Sequence, residues 1–260
     1  MWVDPEFTAA ILQHEILKPG ALEQILAANP EGPRGRTATA IMTLEGRTER
    51  IHLRPLRHGG WLAPVWGGRV AGLGRARTES DVTASLRSAG APVPRPAFVL
   101  GHRDGLLWRA AIGTVYEEDT LDGAAFLAAA PAAGERVRVA RAAARAVRSF
   151  HDAGGRHADL HIGNLIVRDR ADGSEVLIVD LAGARHARPP SPKRRMRELM
   201  RLYRSLDKRC LLEALGPRAE VAFLEAYVAG DRELRAALLR QRPREQRRIA
   251  RHAVAWRSPP

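Results

Sequence analysis

Hydrophobic and polar positions follow different patterns in the two halves of the chain. In the first half, the segment at 7–28 has apolar residues at helix-like spacing and is broken at Pro19-Gly20. Beyond it, short apolar runs bounded by turn residues predict strands, with a single helix between two pairs of them. The predicted elements are strands at 37–44 and 50–56, a helix at 78–89 that ends at Gly90, and a hairpin of strands at 97–101 and 106–115.

Beyond Glu117 the pattern becomes mostly helical. A long Ala-, Arg- and Val-rich helix stops at Gly154-Gly155, which is an ordinary helix end. Two short apolar runs then flank a turn, and an Arg-rich helical region follows. The predicted elements are the helix at 134–153, the apolar runs at 165–167 and 176–179, and helices over 192–255 with breaks at Pro217 and Pro243.

A sheet-rich first portion followed by a helical second portion predicts an α+β fold. At 260 residues the chain is long enough to bury a core, either as one large domain or as two lobes that share a cleft. We expect a β-rich N-lobe at 1–113 and a helical C-lobe at 114–260, with the boundary near Gly113.

The charge of the chain restricts its partners. The formal net charge is +13, and of the 42 Lys and Arg residues only Lys18, Lys193 and Lys208 are lysine. Because Ala-rich runs accompany the arginines, we interpret this as a compositional bias of the whole chain rather than as a nucleic-acid groove. A field of this sign attracts anions such as phosphates, nucleotides and acidic lipid surfaces.

The compartment is also indicated by the sequence. Cys210 is the single cysteine, which excludes an internal disulfide and a Cys-based zinc cluster, and its apolar helical surroundings predict a buried structural thiol. The N-terminus lacks the basic start and apolar core of a signal peptide. No stretch approaches the ~20 apolar residues that span a bilayer. We expect a soluble cytoplasmic protein that contacts a membrane surface peripherally.

The segment from His157 to Asp180 carries the clearest chemistry. Asp159, followed five positions later by Asn164, offers a base and a metal ligand close together on a loop held by flanking strands. Asp180 ends the next apolar run and adds a second oxygen ligand for Mg²⁺, which takes carboxylates plus substrate phosphates. Phosphoryl transfer requires little more than a positioned metal, an oriented hydroxyl and cations on the phosphates. Each residue alone also fits a turn or a strand cap, but the whole string favours function.

This string resembles the catalytic loop and metal-binding segment of the protein-kinase-like superfamily (H-x-D-L-x-x-x-N, then D-F-G). Within that superfamily it is most similar to the lipopolysaccharide kinase family, which contains the 3-deoxy-D-manno-octulosonic acid (Kdo) kinases and the heptose kinases of the lipopolysaccharide core. The resemblance spans residues 32–205. It includes LRPLRHGG at 53–60, similar to the family's L-R-x-Y-R-R-G-G, RARTE at 75–79 and APVPRP at 91–96.

The resemblance implies a bilobal protein-kinase-like fold that uses ATP and Mg²⁺. Asp159 would orient or deprotonate the acceptor hydroxyl, and Asn164 and Asp180 would hold Mg²⁺. Arg54 falls where kinases place the strand lysine that binds the α- and β-phosphates, and Glu79 would be its partner on the helix. An arginine at this position resembles the Kdo-kinase branch, whereas lysine is usual in the heptose-kinase branch.

A second phosphate contact is implied at the start of the N-lobe. Gly32 and Gly35 resemble a reduced phosphate-covering loop, in which backbone N–H groups approach phosphate oxygens, and Arg36 would add a contact. Taken alone, this Gly-Pro-Arg-Gly string also fits an ordinary turn. The adenine would lie against the backbone at 110–115.

Three departures from regulated protein kinases favour a sugar or lipid acceptor. Ala158 stands where those kinases carry arginine, Leu181-Ala182 replaces Phe-Gly, and no A-P-E segment follows Asp180. The neighbouring histidines lack the spacing of a zinc site. We interpret His157 as a brace of the loop, and His161 as lying near the phosphates where kinases carry lysine.

The predicted function is therefore an ATP- and Mg²⁺-dependent kinase of a sugar hydroxyl, on Kdo or a core heptose of a lipid A precursor. Such an acceptor is a lipid-linked anion made at the cytoplasmic face of the inner membrane. Two alternatives remain: a small-molecule kinase of aminoglycoside or choline type, whose acidic pocket would need residues 117–119, and a non-catalytic kinase-like or nucleic-acid-binding module. The basic helix at 193–209 fits either a solvated face or a surface for the anionic acceptor.

Overall fold

The computed structural model describes two compact units of the chain. Unit 1 comprises Met1–Ser85 and Pro94–Glu118, and unit 2 comprises Leu86–Val93 and Asp119–Pro260. The residues whose structure is described are 1–14, 16, 18, 20–28, 39–57, 66–170 and 173–257, with side chains as far as 248.

Unit 1 is built on a five-stranded antiparallel sheet. Its strand order is β1-β4-β5-β3-β2, so that β5 lies between β4 and β3. The strands are β1 (Trp2–Val3), β2 (Ala40–Thr43), β3 (Arg50–Pro55), β4 (Pro96–Asp104) and β5 (Leu107–Val115). The helices are α1 (Thr8–Gln13), which follows a 3₁₀ turn at Pro5–Phe7, α2 (Ala21–Ala28) and α3 (Gly74–Ser88), of which unit 1 takes the part up to Ser85.

The alternation of buried and partly exposed residues along β3 explains why Arg54 lies on the face of the sheet opposite the core. Ile51 and Leu53 are fully buried in the core of unit 1, whereas His52 and Arg54 lie on the opposite face and are partly exposed. Successive strand residues point to opposite faces, so burial of one set fixes the orientation of the other. The fully buried members of this core are Phe7, Ile11, Ala40, Ile51, Leu53, Ala97, Phe98 and Ala111.

Close packing between β4 and β5 depends on Gly113. A Cβ atom at this position would lie 2.5 Å from the ring of Phe98, which a real side chain could not tolerate. The glycine therefore allows the aromatic ring to cover the end of β5 just before the chain leaves the sheet.

Unit 2 is mainly helical and carries two small antiparallel sheets. One sheet has the order β6-β8-β9, and β7 pairs with β10 in the other. The strands are β6 (Leu121–Asp122), β7 (Gly155–Arg156), β8 (Leu165–Arg170), β9 (Gly173–Ile178) and β10 (Arg185–His186). The helices are α4 (Gly123–Ala128), α5 (Ala133–Asp152), α6 (Pro192–Lys208), α7 (Leu212–Leu215), α8 (Pro217–Val228) and α9 (Arg232–Arg257).

Helix α5 forms the centre of unit 2 because its buried side is made of small residues. Ala140, Ala143, Ala144 and Val147 are all buried, and the helix packs against α8 and against β9. Small side chains let neighbouring backbones approach closely. Phe150, also fully buried, closes the end of this core beside the loop that follows β7.

Two expectations from the sequence are wrong. Helix α9 runs through Pro243 without a break, and Pro243 lies on an exposed side of it. Cys210 is exposed, because α6 ends at Lys208 and Cys210 adopts a left-handed backbone conformation with φ of 56° in the turn that follows. Pro217, in contrast, begins α8, where the missing N–H of proline costs nothing. None of the helices in the described part of the chain combines the length and apolar character needed to cross a membrane.

Candidate active site

The loop that carries Asp159 connects β7 to β8 in unit 2. Strand β7 pairs with β10, and the loop ends in a 3₁₀ turn at Ile162–Asn164 that passes directly into β8. Leu160 is fully buried beneath the loop, while the side chain of Asp159 is 73% exposed. The fold therefore presents the carboxylate of Asp159 to solvent on a segment fixed at both ends.

His157 braces this loop from below. Its Nδ1 accepts a hydrogen bond from the backbone N–H of Asp159 at 3.0 Å, and its Nε2 lies 3.1 Å from the carbonyl oxygen of Val179. Because Nδ1 is the acceptor, the ring proton must sit on Nε2 and be donated to Val179. Burial lowers the pKa of His157 below its ordinary value, so the ring is held in the neutral form that this pair of hydrogen bonds requires.

Asn164 ties the loop to the residue before Asp180. It is buried, and its Nδ2 donates to the carbonyl oxygen of Asp159 at 2.9 Å. The backbone carbonyl oxygen of Asn164 accepts a hydrogen bond from the backbone N–H of Val179 at 3.0 Å. The backbones of residues 159, 164 and 179 are thus joined by direct hydrogen bonds, and Asp180 follows immediately.

Asp180 has an unusual backbone conformation. It is exposed, follows the end of β9, and has φ of 56°, in the left-handed region that residues other than glycine seldom adopt. Such a conformation costs on the order of 1 kcal/mol and persists where the surrounding structure enforces it. Strain of this kind next to a polar loop supports a functional position for the Asp180 carboxylate.

The residues present fit a magnesium ion. Because Asn164 uses its amide nitrogen within the loop, its amide oxygen and the carboxylate of Asp180 remain as oxygen donors, which Mg²⁺ prefers. Within the described residues, no three His, Cys, Asp or Glu side chains are grouped to hold a metal ion. A two-residue oxygen set nevertheless suits Mg²⁺, which commonly takes one or two protein ligands and fills its shell with phosphates and water.

Helix α6 holds the loop through three residues on one side. The carboxylate of Glu198 accepts the backbone N–H of His157 at 3.0 Å, and the hydroxyl of Ser205 accepts that of Ile162 at 2.9 Å. Between them, Nη1 of Arg201 donates to the carbonyl oxygen of Ala158. The spacing i, i+3, i+7 places these three side chains on one face of the helix. The basic helix was expected from the sequence, but its contacts with the loop were not; their one signal is that spacing, with Glu198 inside an Arg-rich helix.

Glu198 is itself held by a buried network. Nε2 of His151 lies 3.2 Å from the carboxylate of Glu198, and Nδ1 of His151 lies 2.7 Å from the hydroxyl of Tyr227. Because a carboxylate accepts hydrogen bonds, Nε2 of His151 is the donor and Nδ1 accepts the tyrosine O–H. Burial raises the pKa of Tyr227 to about 12, which keeps this hydroxyl a donor. The anchor of the loop thus rests on hydrogen bonds inside the core of unit 2.

The opposite face of α6 borders an apolar cavity of about 450 Å³ within unit 2. Side chains of α4, α5, α7, α8 and α9 line it too, as do Ile162 and Leu165 at the end of the Asp159 loop. Volumes of this size are typical of small-molecule sites. Helix α6 therefore contacts the Asp159 loop with one face and the apolar cavity with the other.

In unit 1, Arg54 and Glu79 form an ion pair. Arg54 projects from β3 and Glu79 from α3, and their side chains are 32% and 14% exposed. The structure therefore brings together the two residues that the resemblance paired. The other phosphate-contacting residues predicted for this part of the chain, Gly32, Gly35 and Arg36, lie outside the described residues.

Two of the three acidic residues that an aminoglycoside- or choline-type pocket would need are paired with arginines. Glu118 accepts a hydrogen bond from Nε of Arg50 at 2.6 Å, and Asp119 lies 3.5 Å from Nη2 of Arg170. An acidic cluster already engaged by arginines is a poor receptor for a cationic acceptor.

The architecture and this loop define a phosphotransferase of the protein-kinase-like class. A sequence model of the "Lipopolysaccharide kinase (Kdo/WaaP) family" matches residues 65–227, which is more than half of the chain. The chain is also 32% identical, over 182 residues, to the 3-deoxy-D-manno-octulosonic acid kinase of Xylella fastidiosa (strain 9a5c), a stretch that covers 68% of each protein. The chain belongs to the lipopolysaccharide kinase family, and the resemblance drawn from its sequence is confirmed.

Proposed function

We propose that this chain transfers the γ-phosphate of ATP to a hydroxyl of Kdo, or of a core heptose, on a lipid A precursor. The observation that carries the proposal is an exposed Asp159 carboxylate on a loop braced by neutral His157 and buried Asn164, in a member of this family. The Xylella relative, named for a kinase acting on this sugar acid, favours Kdo over heptose.

Asp159 has the role of proton acceptor. Its carboxylate takes the proton of the acceptor hydroxyl while that oxygen forms a bond to the γ-phosphorus, and the bond from phosphorus to the bridging oxygen breaks so that ADP leaves with the electron pair. Exposure of the side chain gives the acceptor access, and the hydrogen bond from its N–H to His157 fixes its backbone.

Asn164 and Asp180 would hold Mg²⁺ between the loop and the phosphates. When bound, the ion would offset the negative charge on the transferred group. The contribution of the chain is to keep the two oxygen donors in place: the hydrogen bonds of Asn164 to residues 159 and 179 restrict both. Little reorganisation is then needed when the nucleotide arrives.

In unit 1, Arg54 would bind the α- and β-phosphates, with Glu79 fixing its orientation. Arginine presents a rigid fork to phosphate oxygens, which lysine does not. Gly32, Gly35 and Arg36 remain the predicted covering loop for the same phosphates. This proposal assigns nucleotide-phosphate binding to a lobe at 1–113 and catalysis to a lobe at 114–260.

Charge and apolar surface both support a lipid-linked anionic acceptor. The net charge of +13 attracts a polyanion, and the apolar cavity beside the end of the catalytic loop offers room for part of a lipid. Peripheral contact with the cytoplasmic face of the inner membrane belongs to this proposal.

An acceptor panel tests the proposal. Purified protein would be given radiolabelled ATP and Mg²⁺ with, in turn, a Kdo-lipid A precursor, a core-heptose acceptor, an aminoglycoside and choline. Label confined to the Kdo precursor supports the proposal, and label on the heptose acceptor would select the second sugar. Transfer to the cationic acceptors, or to none of the four, would contradict it.

A further inference from the structure

Arg201 lies beside the carboxylate of Asp159, the proposed proton acceptor, without a hydrogen bond to it. Its Nε is 3.9 Å from Oδ1 of Asp159, which is too long for a hydrogen bond. Asp159 stays largely exposed, so the arginine does not cover it. The guanidinium therefore lies within ion-pair distance of Asp159 but makes no hydrogen bond to it.

The side chain of Arg201 is held in place by the loop backbone. Its Nη1 donates to the carbonyl oxygen of Ala158 and approaches that of His157 at 3.5 Å. In the described part of the chain, its hydrogen bonds all come from Nη1. The guanidinium edge formed by Nε and Nη2 therefore remains available for a ligand. Such an edge binds a carboxylate through two parallel hydrogen bonds.

The position of this edge relates it to the reacting hydroxyl. Nε is the atom of Arg201 that faces Asp159. An acid group bound to the Nε and Nη2 edge therefore lies next to the hydroxyl from which Asp159 accepts a proton. The positive charge of the arginine offsets the repulsion between that acid group and Asp159, which lie on the same side of the guanidinium. The side chain is 25% exposed, so it is both anchored and accessible.

A second cation lies at the other end of the loop. A Cβ placed on Gly163 would be 3.7 Å from Nη2 of Arg209, so this guanidinium lies over the turn that carries Asn164. Arginines at both ends of the loop make its surroundings selective for an anionic acceptor rather than a neutral sugar.

We infer that Arg201 determines acceptor specificity by binding the carboxylate of the sugar acid whose hydroxyl is phosphorylated. This inference rests on the proposed function and adds the acceptor group that the site recognises.

The test compares two acceptors and three proteins, with a fourth protein as a control. The acceptors are the Kdo-lipid A precursor and the same precursor with the sugar carboxyl converted to its amide, and the proteins are the unmodified chain, Arg201→Gln and Arg201→Lys. For the unmodified chain, the amide should lower kcat/KM by about 10- to 100-fold, the range for a charged hydrogen-bonded pair. Arg201→Gln should lose a similar factor on the acid, mainly in KM, and should not discriminate between acid and amide. Arg201→Lys should keep part of the discrimination.

Each alternative gives a different pattern. If Arg201 only positions the loop, Arg201→Gln will lower kcat equally on both acceptors and preserve their ratio, which overturns the inference. If the unmodified chain phosphorylates the acid and the amide equally well, the assigned group is wrong. If the unmodified chain labels neither acceptor, Kdo is not the acceptor and the inference fails, while the core-heptose form of the proposed function is left to the acceptor panel. Arg218→Gln, at an exposed position of α8, is the matched control and should behave as the unmodified chain.

Discussion

The two groups of predicted site residues are held in very different ways. In unit 1, Arg54 and Glu79 come from a strand and a helix and meet in one partly exposed ion pair. In unit 2, the backbone of the loop from His157 to Asn164 is fixed by hydrogen bonds with the buried side chains of Glu198 and Asn164 and with the partly buried Ser205 of α6. Exposed ion pairs contribute little stability, whereas buried hydrogen-bonded groups are costly to disturb.

This difference in how the residues are held fits the different roles proposed for the two groups. A loop that holds the proposed proton acceptor, Asp159, and one proposed metal ligand, Asn164, benefits from being rigid before substrate arrives, since misplacement by about 1 Å costs on the order of 100-fold in rate. A phosphate-binding cation is less demanding, because its interaction with a charged phosphate falls off gradually with distance. Substitutions in the two groups should therefore differ in size and in kind.

The largest effect is expected from Glu198→Ala. The change leaves the N–H of His157 and Nε2 of His151 without their buried acceptor. It should lower the free energy of unfolding by about 3 kcal/mol and kcat by about 100-fold or more. Urea denaturation and phosphate-transfer assays measure the two quantities. Glu213→Ala, at an exposed position of α7, is the control, and an equally mild effect of both variants would mean that α6 does not position the loop.

A smaller effect on kcat is expected from His157→Phe. Phenylalanine fills a similar volume but cannot accept from the N–H of Asp159 or donate to Val179. We expect kcat to fall by roughly 10- to 100-fold with little change in KM for ATP. The matched control is His186→Phe on the exposed strand β10. Unchanged kcat in His157→Phe would contradict the bracing role.

The pKa of His157 also predicts an acid-sensitive loop. Because burial lowers the folded-state pKa below the ordinary 6.5, the unfolded chain binds the proton more readily. The contribution to the free energy of unfolding is therefore lost as pH falls from about 6.5 toward the lowered pKa, and it is constant above that window. Protonation of Nδ1 also removes the acceptor for Asp159, so kcat should fall in the same direction. Denaturation at several pH values, in the unmodified chain and in His157→Phe, isolates this contribution.

In unit 1, Arg54→Ala should change binding more than folding. The pair with Glu79 is partly exposed, so its loss should cost less than about 1 kcal/mol of stability. Loss of a cation on the phosphates should raise KM for ATP by about 10-fold, with Arg54→Lys between the two. Nucleotide titration and kinetics measure this, and a large loss of stability with unchanged KM would reverse the comparison between the units.

The smallest effect is expected from Tyr227→Phe. This change removes a single hydroxyl from the network behind Glu198 and leaves the ring in place. It should cost about 1 kcal/mol of stability and change kcat by only about 3-fold. A loss of kcat as large as that of Glu198→Ala would show that the tyrosine acts on the loop more directly than its 2.7 Å contact with His151 suggests.

Contacts between residues close together in the chain could be predicted from the sequence, whereas contacts between distant residues could not. The string from His157 to Asp180 could be found because its loop and strands are local, and the α+β class followed from the change of period along the chain. The contacts of Glu198, Arg201 and Ser205 depend on α6 packing against a loop about 40 residues earlier, and no local pattern encodes that distance.

The errors have the same origin. The apolar stretch around Cys210 predicted burial, but the thiol falls in a left-handed turn just after α6, where the periodicity no longer applies. Pro243 was expected to break a helix, yet α9 continues through it. Intrinsic propensity is a weak guide wherever tertiary packing decides the outcome.

In the proposed reaction, Asp159 accepts a proton from a sugar hydroxyl during phosphate transfer. The most direct measurement is single-turnover transfer of radiolabelled γ-phosphate to a Kdo-lipid A precursor by the unmodified chain and by Asp159→Asn, with Asp207→Asn as an exposed control. Loss of a general base should lower the transfer rate by about 100-fold or more, while Mg²⁺-dependent ATP binding stays unchanged. Labelling of the lipid at the same rate by Asp159→Asn would contradict the account.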